Sequence, residues 1–256
     1  MEALRKIFRA NIKNQLVLML SILAIIGIFQ QGVKHSLPQV LISTFAAAGL
    51  DCFLSYIKYN KRFFPTSAVI SGLIISLVLS PGVNWYIPAF ASVVAIGSKH
   101  IIRIKGKHIF NPANLGLLVS MFIFKAYLVW WGASIPLLVF IMGVFIVYKI
   151  KCFHLVLSFL ITQYILLGAY FLLKGYPVWN AILVANFFFV FVMLVEPKTS
   201  PVKRVGRIVY GVLTGIFSSI FVLIIPTYDP SVLGLGLANL FVPIINYSIS
   251  KISNRR

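Results

Sequence analysis

Acidic side chains are nearly absent from this sequence. Glu2, Asp51, Glu196 and Asp229 are the only four in 256 residues, against 23 Lys and Arg, which gives a net charge of +19. Charged residues of both signs make up 11% of the chain and hydrophobic residues 60%, whereas soluble domains carry about 25% charged and 45–50% apolar residues. A cytosolic enzyme and a disordered tail protein are excluded on that ground. Cysteine is scarce as well. Cys52 and Cys152 are the only two, too few for a disulfide-stapled secreted domain or a four-thiolate metal site. Of the four histidines, His35, His100 and His108 fall in or beside loops. That leaves His154 alone in an apolar run, without the facing histidine that haem between helices requires. No Walker motif, zinc signature, nucleophile elbow or other catalytic motif is present.

Long apolar stretches fill the chain instead, at roughly 15–31, 38–57, 65–80, 84–98, 111–124, 128–148, 153–173, 178–195, 206–225 and 231–249. A spanning helix takes about 20 residues, so ten of them use about 200 of the chain and leave no room for a folded soluble domain. The sequence predicts one membrane domain, 1–256. The stretches 65–80, 84–98 and 111–124 are short, and short segments in a membrane are tilted, broken or re-entrant. The N-terminal run, with Arg5, Lys6, Arg9 and Lys13 before it, imitates a signal peptide but lacks a small-residue cleavage site after Ile28, so it reads as a first helix that stays.

Lys and Arg alternate from loop to loop. Twenty lie in the two tails and in every second loop, and only Lys34, Lys125 and Lys174 lie in the intervening loops. The positive-inside rule turns that pattern into ten crossings of the plasma membrane with both termini cytoplasmic. The basic charge is thereby explained by topology, and no nucleic-acid partner is expected.

Phe110–Leu117 (FNPANLGL) echoes Tyr228–Leu235 (YDPSVLGL), at the start of the fifth and tenth spans. Five spans per half is an odd number, so residues 127–256 are expected to repeat residues 1–126 upside down, as in many transporters and channels. Asn111-Pro112 and Asp229-Pro230 each combine a preferred N-cap with a proline suited to the first helical position. Each starts a helix abruptly. Such a start aims free N–H groups at a polar or anionic ligand, or is an ordinary cap at the membrane surface.

Phe63-Phe64-Pro65-Thr66-Ser67 begins another helix, whose Ser71 and Gly72 suit close packing. Glu196 to Pro201 (EPKTSP) forms a stiff polar loop, in which Glu196 either pairs with Arg204 or Arg207 or reaches a substrate. Asp51 is the one acid deep in a span, a functional candidate by its position, or a partner of Lys58 or Arg62. Cys52 and Cys152 both fall near the cytoplasmic face, and Cys is often a small buried hydrophobe.

Three of these segments resemble motifs of one family. Phe64–Pro81 (FPTSAVISGLIISLVLSP) looks like its third-span motif, Lys107–Gly116 (KHIFNPANLG) like its Phe-Asn-Pro-Ala motif, and Met193–Pro201 (MLVEPKTSP) like its Thr-Asp-Pro-x-Thr-Ser-Pro motif, in order over about residues 60–245. The family is that of the D subunit of Rnf-type electron-transport complexes and the B subunit of the sodium-pumping NADH:quinone oxidoreductase. The resemblance implies an all-α integral membrane protein of ten helices in two inverted five-helix repeats, similar to urea transporters. It also implies partner membrane subunits and leaves homo-oligomerisation open.

Two departures matter. The family esterifies flavin mononucleotide (FMN) to the Thr of a Ser-Gly-Ala-Thr motif between the fifth and sixth spans. Here that loop is Lys125–Ser134 and the motif is missing, since Gly132-Ala133-Ser134 lacks the Thr and is out of register. Glu196 also stands where Asp is usual. Covalent FMN is therefore not expected. The expected function is a membrane subunit of an Rnf-like electron-transport system, an oxidoreductase component at most, holding FMN or riboflavin non-covalently. The candidate ligand contacts are Thr66, Ser67, Asn111, Asn114, Glu196, Thr199 and Ser200, with Phe110 packed on the ring. The competing expectation is a channel or carrier for a small polar solute such as riboflavin.

Overall fold

The computed structural model describes residues 11–60, 64–104 and 106–253. Arg5, Lys6, Arg9, Lys61, Arg62, Phe63, Lys105, Arg255 and Arg256 lie outside the described residues. Among the described residues the regular structure is helical apart from one short hairpin and an isolated bridge between Leu79 and Leu128. The helices are α1 (Ile12–Gln31), α2 (Val33–Tyr59), α3 (Thr66–Val78), α4 (Tyr86–Ile101), α5 (Pro112–Phe124), α6 (Pro136–Ile150), α7 (Phe153–Leu173), the single turn α8 (Asn180–Leu183), α9 (Arg204–Ile224) and α10 (Pro230–Ser253). Strands β1 (Arg103–Ile104) and β2 (Lys107–His108) pair antiparallel around Gly106, whose φ of 79° suits a residue without Cβ. Five helices, α1, α2, α7, α9 and α10, are long and apolar enough to cross a membrane. Helices α3, α5 and α6 are apolar but shorter. The chain divides into two compact units, residues 1–100 with 115–135, and residues 101–114 with 136–256.

In the first unit α3 packs against α1 and α2. It is apolar around its circumference and buried from Ser71 to Val78, as a helix surrounded by others must be. Gly72 sets the spacing, because a Cβ there would stand 2.6 Å from Thr44 Cα and 2.7 Å from the Ser43 carbonyl oxygen. Helix α3 ends well short of a membrane span, leaving backbone groups that need partners inside the protein. The Gln39 amide donates to the carbonyls of Ser76 (2.9 Å) and Leu79 (3.2 Å), and Trp131 Nε1 donates to Leu79 at 3.0 Å. An extended segment completes the set, with Leu79 bridged to Leu128, Ser80 N donating to Tyr127 O and Val129 N donating to Val78 O.

That pairing corrects the expected span at 128–148. Residues 128–135 are not its first turns; they serve the end of α3, and helix α6 starts only at Pro136.

In the second unit α9 packs against α7 and α10. Glycines allow the approach: a Cβ at Gly215 would meet Phe159 O at 3.1 Å, and one at Gly211 would meet Leu155 O at 2.6 Å. The expected span at 178–195 is also not continuous. It contains α8, a break, and a π-helical turn at Phe189–Met193. Asn186 causes the break, because its Oδ1 accepts from the backbone N–H of Phe188 (2.9 Å) and Phe189 (3.3 Å) and so caps a new helix start.

Candidate functional site

The second unit gathers the two family-like polar motifs. Strand β2 leads through Phe110, half-buried, into Asn111, which is 3% exposed. Asn111 Oδ1 accepts from Asn114 N at 3.1 Å, the N-cap bond expected of Asn before Pro112. Its amide nitrogen donates to the Met193 carbonyl at 3.1 Å, at the end of the π-helical turn. Both ends of Asn111 are therefore occupied by backbone. Asn114, fully buried, donates from its amide to the carbonyl of Val232 at 3.1 Å, in the first turn of α10. That turn is capped in the same manner, since Asp229 Oδ1 accepts from Ser231 N (3.0 Å) and Val232 N (2.9 Å). The two echoing helix starts are thus joined by one side chain. Asn114 Oδ1 is buried with no hydrogen-bond partner.

Glu196 opens a tight turn in which its carbonyl accepts from Thr199 N (3.3 Å) and Ser200 N (3.1 Å). Its carboxylate lies 3.5 Å from His108 Nε2 and accepts from Thr199 Oγ1 at 3.3 Å. This corrects the expected pairing with Arg204 or Arg207. Arg207 donates instead to the carbonyls of Pro201 (3.0 Å) and Lys151 (3.4 Å), tying the end of the loop to the turn before α7. Ser200 is 3% exposed, and its Oγ is a second buried polar atom without a partner. It lines a cavity of about 560 Å³.

Thr66 and Ser67 lie in the first unit, at the start of α3. Ser67 Oγ accepts from Lys99 Nζ at 2.9 Å. Lys99 also donates to both carboxylate oxygens of Asp51, at 2.8 and 3.0 Å, and His100 Nε2 lies 2.8 Å from Asp51 Oδ1. This replaces the expected pairing of Asp51 with Lys58 or Arg62. Arg62 is outside the described residues, and the ion pair is made with Lys99, so a lysine that the sequence offers only as a marker of topology neutralises the deepest acid. Lys99-His100 closing an apolar run is the available cue, but a partner 48 residues away cannot be chosen from spacing.

The eight candidate ligand contacts therefore fall in two places, and most of their polar atoms are spent on the protein itself. Of the buried ones, Asn114 Oδ1 and Ser200 Oγ have no partner and remain for a ligand. Among the described residues no three His, Cys, Asp or Glu side chains gather to hold a metal ion. Cys52 is exposed on α2, and Cys152 is buried at the turn before α7, where burial pushes its thiol above the usual range.

A family model described as NQR2, RnfD, RnfE matches residues 5–135 and 130–254. The D subunit of a proton-translocating ferredoxin:NAD(+) oxidoreductase complex from Clostridium ljungdahlii is 32% identical over 112 residues, which is 43% of this chain and 33% of that protein. The D subunit of an ion-translocating oxidoreductase complex from Stutzerimonas stutzeri is 32% identical over 30% of this chain and 22% of its own length. The corresponding subunit from Methanosarcina acetivorans is 26% identical over 210 residues, 73% of this chain and 71% of its own. The matched part is thus about a third or less of the first two relatives. Matched by the family along nearly all of its length, and with its apolar helices in place, the chain is a multi-pass helical membrane protein belonging to the NQR2, RnfD, RnfE family.

Proposed function

We propose that this chain is a membrane subunit of an Rnf-like electron-transport complex, working beside other membrane subunits and holding FMN or riboflavin without a covalent bond. The observation that carries the reading is the hydrogen bond from Asn111 to the Met193 carbonyl, which ties the Phe-Asn-Pro-Ala segment to the root of the Glu-Pro-Lys-Thr-Ser-Pro loop. Three relatives are subunits of ion-translocating or proton-translocating oxidoreductase complexes, which supports the same assignment. In this reading the chain crosses the plasma membrane ten times in two inverted halves, with both termini in the cytoplasm, the simplest account of the alternation of Lys and Arg.

The residues fit a flavin only in part. Asn111 and Thr199 have no polar atom left over, whereas Ser200 Oγ and Asn114 Oδ1 are buried and unpartnered. Those two would hold the polar edge of the ring or its side chain, and Phe110 would supply an aromatic face. When bound, the flavin supplies the electron-carrying chemistry; the protein supplies burial and fixed hydrogen-bond partners. An absorption and fluorescence spectrum of the detergent-purified chain tests this, taken before and after denaturation and filtration. A yellow protein whose colour passes the filter only after denaturation is expected. A colourless protein overturns the flavin assignment.

The joined helix starts favour a second reading. Asn114 links the two echoing caps, Asn111-Pro112 and Asp229-Pro230, and paired helix starts of this kind build solute sites in inverted-repeat carriers. Riboflavin uptake into vesicles containing only this chain would establish a carrier and displace the electron-transport assignment.

A further inference from the structure

The cavity beside Ser200 gathers basic residues from the Lys107–Gly116 segment, the Met193–Pro201 segment and the start of α9. Lys107, Lys198 and Lys203 are among the residues that line it, and no Asp or Glu among the described residues is. Lys203 is also the N-cap residue of α9, whose first turn has no side-chain cap and no acidic residue. Ser200 lies in the same wall, nearly fully buried, with its Oγ unpartnered. Like charges converging on one cavity repel each other, and an uncapped helix start adds N–H groups and positive dipole. A buried hydroxyl without a partner carries a desolvation penalty that a ligand oxygen would remove. Glu196 is not among the lining residues, and its carboxylate meets His108 and Thr199. Ile104 and Val242 make part of the remaining wall apolar.

We propose that this cavity binds a phosphate group carried on an apolar body. Lys107, Lys198 and Lys203 neutralise its charge, and Ser200 Oγ donates to one of its oxygens. Several oxygens on one tetrahedral centre suit donors that converge from two segments of chain, β2 and residues 198–203, and basic pockets of membrane proteins take phospholipid headgroups in this way. The inference rests on the cavity alone and holds whether or not the chain carries flavin. The phosphate belongs either to a membrane phospholipid or to a water-soluble ester, and the chemistry of recognition is the same.

The test uses the full chain purified in mild detergent. Native mass spectrometry reads co-purified phosphatidylglycerol and cardiolipin, and thermal unfolding is compared in inorganic phosphate and in chloride at equal ionic strength. If the ligand is a lipid, the wild type retains phospholipid adducts that K107Q/K198Q/K203Q loses. If it is a soluble ester, adducts are absent and phosphate raises the unfolding temperature of the wild type but not of the triple variant. Ser200→Ala leaves every charge in place and should weaken whichever response is seen by about tenfold, the loss of one hydrogen bond to a charged group. Equal adducts and equal phosphate responses in wild type and triple variant would overturn the proposal. Should the triple variant fail to fold, an unchanged response in Ser200→Ala overturns it just as well. A colourless protein that binds phosphate would count against flavin only.

Discussion

Lys99 grips both carboxylate oxygens of Asp51 from a position 48 residues later in the chain, with Nζ at 2.8 and 3.0 Å. Asp51 is fully buried, so the pair is shielded from water and His100 and Ser67 complete its surroundings. Removing one member of a buried pair strands the other, at a cost of about 3–5 kcal/mol, whereas replacing both with apolar groups is often neutral. Lys99→Met alone is therefore expected to lower the unfolding temperature sharply. Asp51→Leu combined with Lys99→Met should be more stable than Lys99→Met alone. Thermal unfolding in detergent of the single and double variants checks the order; a double variant no better than the single would show that the pair is not what holds α2 to α4.

Asn114 and Asn111 carry different shares of the second unit. Asn114→Ala removes a second hydrogen bond to the Val232 carbonyl, which keeps its partner within α10, so the cost is that of one net hydrogen bond, about 0.5–1.5 kcal/mol. Asn111→Ser keeps a side-chain cap but cannot reach Met193 O, while Asn111→Ala loses the cap too, worth about 1 kcal/mol more. Stability should fall in the order wild type, Asn111→Ser, Asn111→Ala, as read by denaturation midpoints. Equal midpoints for the two Asn111 variants would remove the capping role.

Much of the fold is legible in the sequence, and the departures share a cause. The bounds of α1, α7, α9 and α10 follow the apolar runs within a few residues, because a long apolar helix and a hydropathy run report the same burial. The N-caps at Asn111 and Asp229 are legible from Asn-Pro and Asp-Pro, since capping is decided within three residues. Residues 128–135, an extended stretch followed by a single 3-10 turn at Trp131–Ala133, imitate a span because they are as apolar as a helix. Asn186 is hidden inside an apolar run, although two asparagines there, Asn180 and Asn186, are the available cue for a broken span. For Asp51 and Glu196, spacing points to nearby cations, whereas the chain brings Lys99 and His108 from far away.

Glycines with identical helical settings should respond oppositely to alanine. At Gly72 the new methyl meets the backbone of Thr44 and Ser43, which cannot step aside, and at Gly116 it meets the Ala91 carbonyl. Overpacking of that sort costs about 1–3 kcal/mol. Nothing lies within 4 Å of a methyl at Gly49 or Gly97, so alanine there should be neutral or stabilising by up to about 1 kcal/mol through helix propensity. Unfolding temperatures of the four single variants provide the comparison. A stabilised Gly72→Ala would mean that α2 and α3 are not in backbone contact.

Cys152 offers a check on burial at the turn between α6 and α7. Desolvation disfavours the thiolate and raises the thiol's pKa, and the thiolate is the reacting form. At pH 7 the reactive fraction is therefore smaller than for an ordinary cysteine, and it grows only at a pH above the usual thiol range. The Cys52→Ser variant isolates this group. It is expected to resist a membrane-permeant maleimide at both pH 7 and pH 8.5 while folded, and to label fully once denatured, as read by intact mass. Rapid labelling of the folded variant at pH 7 would show that the turn before α7 opens to solvent and that Cys152 is not held in the packed end of the second unit.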